Sequence, residues 1–465
     1  MDSRNVALRY INAFREMRWP LGKSALLFTI SFGVSFFVTW LLQTPSFTDT
    51  LTYALFISIF AILLWVTEAI PAFAVGLLIM GFAVFFLGSP LLNSDPADPD
   101  IFVNTWSSSV IWLMLGGYFL ATSLSRTHLD KTIFYFSRKL FGTKPAFVLL
   151  GLMITTAVLS MIMSNTATTA MMIASVTPFL RQLKSNDSLR KSLLLGIPAA
   201  GSLGGMGTVI GSPPNLIALG ALEKEGITIN FVEWMYYGVP LAVVAVLLFW
   251  LMLLKKYKPS NIKVTIEVDD PGYVNKQHLI VTISTLALTM GLWLTNPIHH
   301  IPSAVVAMIP IVTLTISGII DTGELRSMPW DTLILVAGGL TLGKVIDHSG
   351  LAAHYLDQIS FDAPEIVMLI VFGFLTVVMS NVMSNTATTA LIIPIALAFM
   401  PGSMESMALV IGLCASNALL LPVSTPPNAI AFSTGMLKQS DFRMGGIAAG
   451  ILAPLLITFW ILFML

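Results

Sequence analysis

The chain has 465 residues, 56% of them hydrophobic and only 10% charged, with 24 Lys and Arg balanced by 24 Asp and Glu. A soluble domain carries about a quarter charged residues, so a mean hydropathy of +0.85 excludes that class and points to an all-α integral membrane protein surrounded by lipid. The zero net charge offers no basic surface for nucleic acid, and the single Cys414 cannot form an internal disulfide.

The first 23 residues carry Arg4, Arg9, Arg15, Arg18 and Lys23 ahead of an apolar stretch. That stretch, 24–42, is long enough to span and lacks a convincing small-residue cleavage site, so it reads as a retained first helix rather than a signal peptide. Further spanning segments, each needing about 20 apolar residues, follow near 51–68, 71–88, 106–125, 236–254, 279–296, 303–320, 329–346 and 445–464. Two more, near 192–222 and 406–435, are long but interrupted, which makes about eleven in all. Threading them alternately places every Lys and Arg except Lys224 and Lys344 on the side of the N-terminus. The positive-inside rule then makes the N-terminus cytoplasmic. Lys255, Lys256 and Lys258 serve as topology anchors, and the acidic loop LNSDPADPD falls outside. The expected location is a cell membrane, the inner membrane in a prokaryote.

Residues 145–181 begin and end at cytoplasmic charges, Lys144 on one side and Arg181 with Lys184 on the other, so they must cross an even number of times. At about 1.5 Å per residue this stretch is marginal for two full spans and suits a re-entrant hairpin. The same reasoning covers 366–404, entered from outside. The octamer MSNTATTA lies near the middle of each, at 163–170 and 383–390, and VLSMIMSNTATTA matches VMSNVMSNTATTA at 10 of 13 positions. Both tips therefore sit deep in the membrane, where non-helical backbone must be buried in protein or line a wet cavity. Five spanning segments separate the copies, an odd number, so the second is inverted relative to the first. Inverted repeats with discontinuous helices are a signature of secondary transporters.

The interrupted segments carry GSLGGMGTVIGSPPN at 201–215 and LLLPVSTPPN at 419–428. Proline lacks an N–H and clashes with the preceding turn, so each helix must break there. New helix N-termini suit an anion, and carbonyls freed at the other side of the break suit a cation. Two tips and two breaks would make two oxygen cages around one anion pocket with no Lys or Arg in it.

The paired SNT motifs, each followed by PPN, and the run CASNALLLPVSTPPNAIAF closely resemble the divalent anion:sodium symporter family of dicarboxylate, citrate and sulfate carriers, over nearly the whole chain. The resemblance implies a homodimer in which a scaffold holds a transport domain that moves as an elevator. Scaffold helices would occupy 24–105, 236–328 (with a cytoplasmic linker) and 445–465, and transport elements 106–235 and 329–444, behind a cytoplasmic segment 1–23. It further implies one sodium site at Ser160, Ser164, Asn165 and Gly211 and another at Ser380, Ser384, Asn385 and Ser424. The substrate would touch Asn165, Thr166 and Ser212 from one half and Asn385, Thr386 and Thr425 from the other, beside Pro213 and Pro426. Ser424 departs from the family pattern, which favours a small apolar residue there, and Ser212 opposes Thr425.

Competing readings carry less weight. One SNT alone is more often polar glue between membrane helices. GGMGTVIG lacks the GK[ST] and preceding strand of a nucleotide loop, and His299 with His300 reads as a solvated pair. No nucleophile with a base, HExxH or paired intramembrane carboxylate supports an enzyme. The expected function is sodium-coupled symport of a divalent anion, first a C4 dicarboxylate such as succinate. A sodium-independent exchanger or a sulfate carrier on the same fold is the alternative.

Overall fold

The computed structural model describes residues 21–45, 47–183, 187–258, 275–356 and 363–465. The arginines at positions 4, 9, 15 and 18, Lys184, and the greater part of the expected linker lie outside them. Among the described residues the secondary structure is helical, with no strand.

Three helices open the fold: α1 Leu21–Leu42, α2 Asp49–Thr67 and α3 Ala72–Phe82, the last prolonged by a π-helical turn at Ala83–Leu87. After α4 (Ser109–Arg126) comes α5 (Leu129–Leu140), which the search for spans passes over. It is short and charged, and it exists by packing Phe134 and Leu129 inward while its polar face turns away, the amphipathic pattern of a surface helix. The first hairpin follows as α6 (Pro145–Ser160) and α7 (Asn165–Gln182). The first interrupted segment is α8 (Ser188–Gly204), two 3₁₀ turns at Gly205–Gly207 and Val209–Gly211, then α9 (Pro213–Lys224).

The second half repeats this order. After α10 (Phe231–Tyr257) and α11 (Lys276–Leu294), the segment expected near 303–320 is split at Ala307 into Ser303–Val306 and α12 (Met308–Ile316). Then come α13 (Trp330–Ser349), the second hairpin α14 (Glu365–Val382) with α15 (Asn385–Phe399), and the second interrupted helix, α16 (Met404–Ala415) with α17 (Pro426–Ser433). The chain ends in α18 (Gln439–Met464).

Seven described helices are long and apolar enough to cross a membrane. Their outward faces carry large exposed apolar side chains, such as Phe36 and Trp40 on α1, Leu251 on α10 and Phe459 on α18, a surface suited to hydrocarbon rather than water. The helices that precede the two breaks instead form the interior. In α16 every residue from Ser406 to Ala415 is buried, and in α8 every residue from Ser192 to Gly204. α13 packs against both α3 and α15. Its approach to α3 is close enough that a Cβ on Gly338 would lie 2.3 Å from the Gly76 Cα, a contact only glycine permits.

Candidate functional site

The repeated octamer makes a tip because its serine is an N-cap. Ser164 is extended, at φ −64° and ψ 142°, and its Oγ accepts from the Ala167 N–H at 3.1 Å. Ser384 does the same for Ala387 at 3.2 Å, at φ −64° and ψ 147°. A serine oxygen satisfying an orphan N–H starts a new helix, so each hairpin turns where the sequence places SNT. At the breaks, Pro213 and Pro214 open α9, and Pro426 and Pro427 open α17. Proline is tolerated there because the first helical N–H groups have no intrahelical partner to lose.

The four new N-termini converge on one cavity of about 910 Å³. Ser164, Asn165 and Thr166 line it from the first tip and Ser384, Asn385 and Thr386 from the second. Gly211, Ser212 and Pro213 reach it from one break, and Ser424, Thr425 and Pro426 from the other. Of the residues expected from the sequence, only Ser160 and Ser380 stay off the wall, fully buried one layer deeper. No Lys, Arg or His is among the described lining residues.

The sequence reading assigns unpaired N–H groups to the broken helices, and the structure refines this. The Pro pairs remove two donors each, the Asn215 N–H bonds to the Ser212 carbonyl at 3.1 Å, and the Asn428 N–H bonds to Thr425 Oγ1 at 3.3 Å. Free donors belong instead to the tips, where Asn165 and Thr166, and Asn385 and Thr386, are the first two helical residues and no intrahelical carbonyl reaches their N–H groups.

Behind the first tip, Ser160 Oγ donates to the Gly201 carbonyl at 2.7 Å and lies 2.6 Å from the Asn165 amide. With its nitrogen inward, that amide donates to the Gly201 and Gly211 carbonyls at 3.1 Å each. In this orientation the amide is satisfied by protein groups alone. The Gly201 and Gly211 carbonyls, Ser160 Oγ and the Asn165 amide thus form one compact polar cluster behind the tip. Asn215 holds the unwound segment, its Nδ2 donating to the Gly205 and Thr208 carbonyls at 2.8 Å each, while Thr208 Oγ1 donates to the Met161 carbonyl.

Behind the second tip, the buried Ser380 Oγ and Asn385 Oδ1 have no hydrogen-bond partner among the described residues. Buried polar atoms are normally satisfied, so this half also has oxygens to offer. Asn428 Nδ2 donates to the Leu421 carbonyl at 3.0 Å, in register with Asn215. Sequence reasoning passed over Thr208, Asn215, Asn381 and Asn428, although the final letter of each PPN already marks two of them. It also passed over Glu68, Tyr118, Pro329 and Thr332, which line the cavity too and lie outside the motifs.

The citrate transporter family matches residues 62–414. The chain belongs to that family. It is 29% identical to the sodium-dependent dicarboxylate transporter SdcS of Staphylococcus saprophyticus, over 91% of this chain and 88% of that one. It is 31% identical to an uncharacterized transporter of Haemophilus influenzae, over 94% and 98% of the two chains. In fold it is similar to the YdaH transporter of Alcanivorax borkumensis, with a TM-score of 0.56, 14% identity and coverage of 84% of this chain and 97% of that one. These matches agree with the divalent anion:sodium symporter resemblance. The protein is a multi-pass membrane transporter and not an enzyme.

Proposed function

We propose that the protein couples inward sodium movement to uptake of a divalent anion, with a C4 dicarboxylate such as succinate as the first choice. The observation that carries this reading is the cavity itself: amides, hydroxyls and helix N-termini at the tips and breaks, with one carboxylate, Glu68, and no basic side chain among the described lining residues. An anion held there needs positive charge from elsewhere. The two oxygen clusters, at Ser160, Ser164, Asn165 and Gly211 and at Ser380, Ser384, Asn385 and Ser424, would supply it by holding sodium. Two acidic groups on one substrate would match the two tips, with Thr166 and Thr386, Ser212 and Thr425 as donors and Pro213 and Pro426 as walls. The names of the staphylococcal relatives support sodium and dicarboxylate.

Under the charge-based threading, Glu68, Pro329 and Thr332 lie at cytoplasmic helix ends, and all three line the cavity. The state described is then inward-facing, as expected for one pose of an elevator in a homodimer in the cell membrane. Cysteines near Gly142 and Asp98 test the orientation. The first should label from the cytoplasm and the second from outside, and the reverse would overturn the threading.

The test of function is uptake of labelled succinate into proteoliposomes, with external sodium or with internal dicarboxylate, competed by unlabelled citrate or sulfate. Sodium-driven uptake blocked by excess succinate is expected. Uptake needing only internal dicarboxylate would make the protein an exchanger, and competition by sulfate alone would make it a sulfate carrier. Sodium should raise succinate affinity by the same factor as succinate raises sodium affinity, since coupling is reciprocal.

A further inference from the structure

The two hairpins differ at one position that should matter for the ion. Where the first has Met161, the second has Asn381, and the residue that faces it across the break changes with it, Gly211 in the first half becoming Ser424 in the second. Asn381 is buried, and both lone pairs of its Oδ1 and one N–H of its Nδ2 are engaged. Oδ1 accepts from the Leu420 N–H at 2.9 Å and from Ser424 Oγ at 2.9 Å, while Nδ2 donates to the Val377 carbonyl at 2.8 Å. Ser424 Oγ also lies 3.2 Å from the Asn381 carbonyl and accepts from the Leu421 N–H at 3.1 Å. One amide and one hydroxyl thus bind the unwound segment 420–424 to the second hairpin next to Ser380, whose buried Oγ has no partner among the described residues.

The first half achieves the same attachment differently. There Thr208 Oγ1 donates to the Met161 carbonyl and accepts from the Gly211 N–H at 3.1 Å. In register, the residue matching Thr208 is Leu421, which has no hydroxyl. The tie has therefore moved from the break to the hairpin, and the departure at Ser424 is one half of a pair.

We propose that Asn381 is a positioning residue for the second cation cage, holding segment 420–424 so that residue 424 faces Ser380 and Asn385. This rests on the sodium-coupled reading above. The lone pairs of Asn381 Oδ1 are taken by the Leu420 N–H and Ser424 Oγ, so the side chain acts through Ser424 and not as a ligand. Removing it frees the Leu420 N–H and leaves Ser424 Oγ only the Asn381 carbonyl as acceptor, each lost hydrogen bond being worth about fivefold in an equilibrium, and the loss should appear in sodium affinity.

The experiment measures the sodium concentration for half-maximal succinate uptake, and the succinate KM at saturating sodium, in proteoliposomes of wild type and variants. Asn381→Met should raise the sodium requirement about tenfold or more while moving succinate KM at saturating sodium less than about threefold. Ser424→Ala, which deletes only a hydroxyl, should raise it about threefold. The two combined should be no worse than Asn381→Met alone, because they remove one tie. Asn381→Met with Leu421→Thr and Ser424→Gly rebuilds the first-half attachment and should recover sodium affinity. Should Asn381→Met fail to insert, Ser424→Ala and the rebuilt variant decide. An unchanged sodium requirement in the folded variants, or a fall in maximal rate with sodium affinity intact, overturns the proposal while sodium coupling stands. A wild type whose uptake ignores sodium overturns the coupled reading itself.

Discussion

The two half-sites have the same outline and are built from different materials. The first is a backbone construction: glycines at 201, 204, 205, 207 and 211 let the unwound chain press against the hairpin, and carbonyls do most of the facing. A Cβ on Gly205 would sit 2.4 Å from Asn165 Oδ1 and 2.9 Å from the Gly211 carbonyl. The second half has Cys414, Asn417, Ala418 and Ser424 at four of the matching positions and achieves its closure with side chains. Behind the first tip Asn165 and Ser160 bond each other and two carbonyls, whereas behind the second Ser380 Oγ and Asn385 Oδ1 have no partner among the described residues. A sequence repeat therefore conserves where the helices start and end, but not how the chain between them is held.

The comparison breaks most sharply if the two tips do not share a role. Asn165→Ala and Asn385→Ala each remove a group that faces both the cavity and an oxygen cluster. Each should lower succinate uptake by about a hundredfold or more, the size expected when a ligand shared by ion and substrate is lost. Surface labelling of the variants would check that insertion is intact. Near-normal uptake in one variant and not in the other would mean that only one half carries the site.

The difference in materials is sharpened at Gly205 and its counterpart Ala418. Gly205→Ala drives a methyl into the Asn165 amide and the Gly211 carbonyl, so uptake should fall about tenfold or more through overpacking. Ala418→Gly removes a buried methyl and introduces no clash, and uptake should stay within about threefold of wild type. Equal effects at the two positions would contradict the backbone-versus-side-chain distinction. Uptake rates normalised to the amount of inserted protein give the answer.

What the sequence disclosed of this arrangement follows from which features are local. Ser164 and Ser384 cap helices by reaching their own third neighbour, and Pro213 and Pro426 start helices through their own rings, so tips and breaks could be placed from short strings. The packing that turns four such strings into one cavity is not local, yet the paired motifs implied it. Less visible was α5, because a charged 12-residue helix is invisible to a search for apolar length. The split at Ala307 also escaped notice, since hydropathy is the same on both sides of a kink. The ties of Thr208, Asn381 and the two PPN asparagines depend on partners about 40 residues away or on carbonyls of an irregular loop, and only the mismatch of Met161 with Asn381 in the alignment hinted at one of them.

The smallest expected effect concerns the paired residues that precede the prolines. Thr425 caps α17 through Oγ1 at 3.3 Å from the Asn428 N–H, whereas Ser212 makes no such cap and instead lies 3.4 Å from Ser416 Oγ. Thr425→Ser keeps the capping oxygen and deletes one methyl, so succinate KM should change by less than about threefold. Ser212→Thr adds a methyl at a site with 1% exposure that lacks a cap to fix its rotamer, and it should raise KM somewhat more, by about three- to fivefold. The double exchange reverses the natural asymmetry. If the two donors contact opposite ends of a symmetric dicarboxylate, the exchange should leave the preference for succinate over malate nearly unchanged. A marked change in that preference would show that the pocket reads the two ends of its substrate differently, and that the asymmetry between the halves extends from the ion cages to the anion.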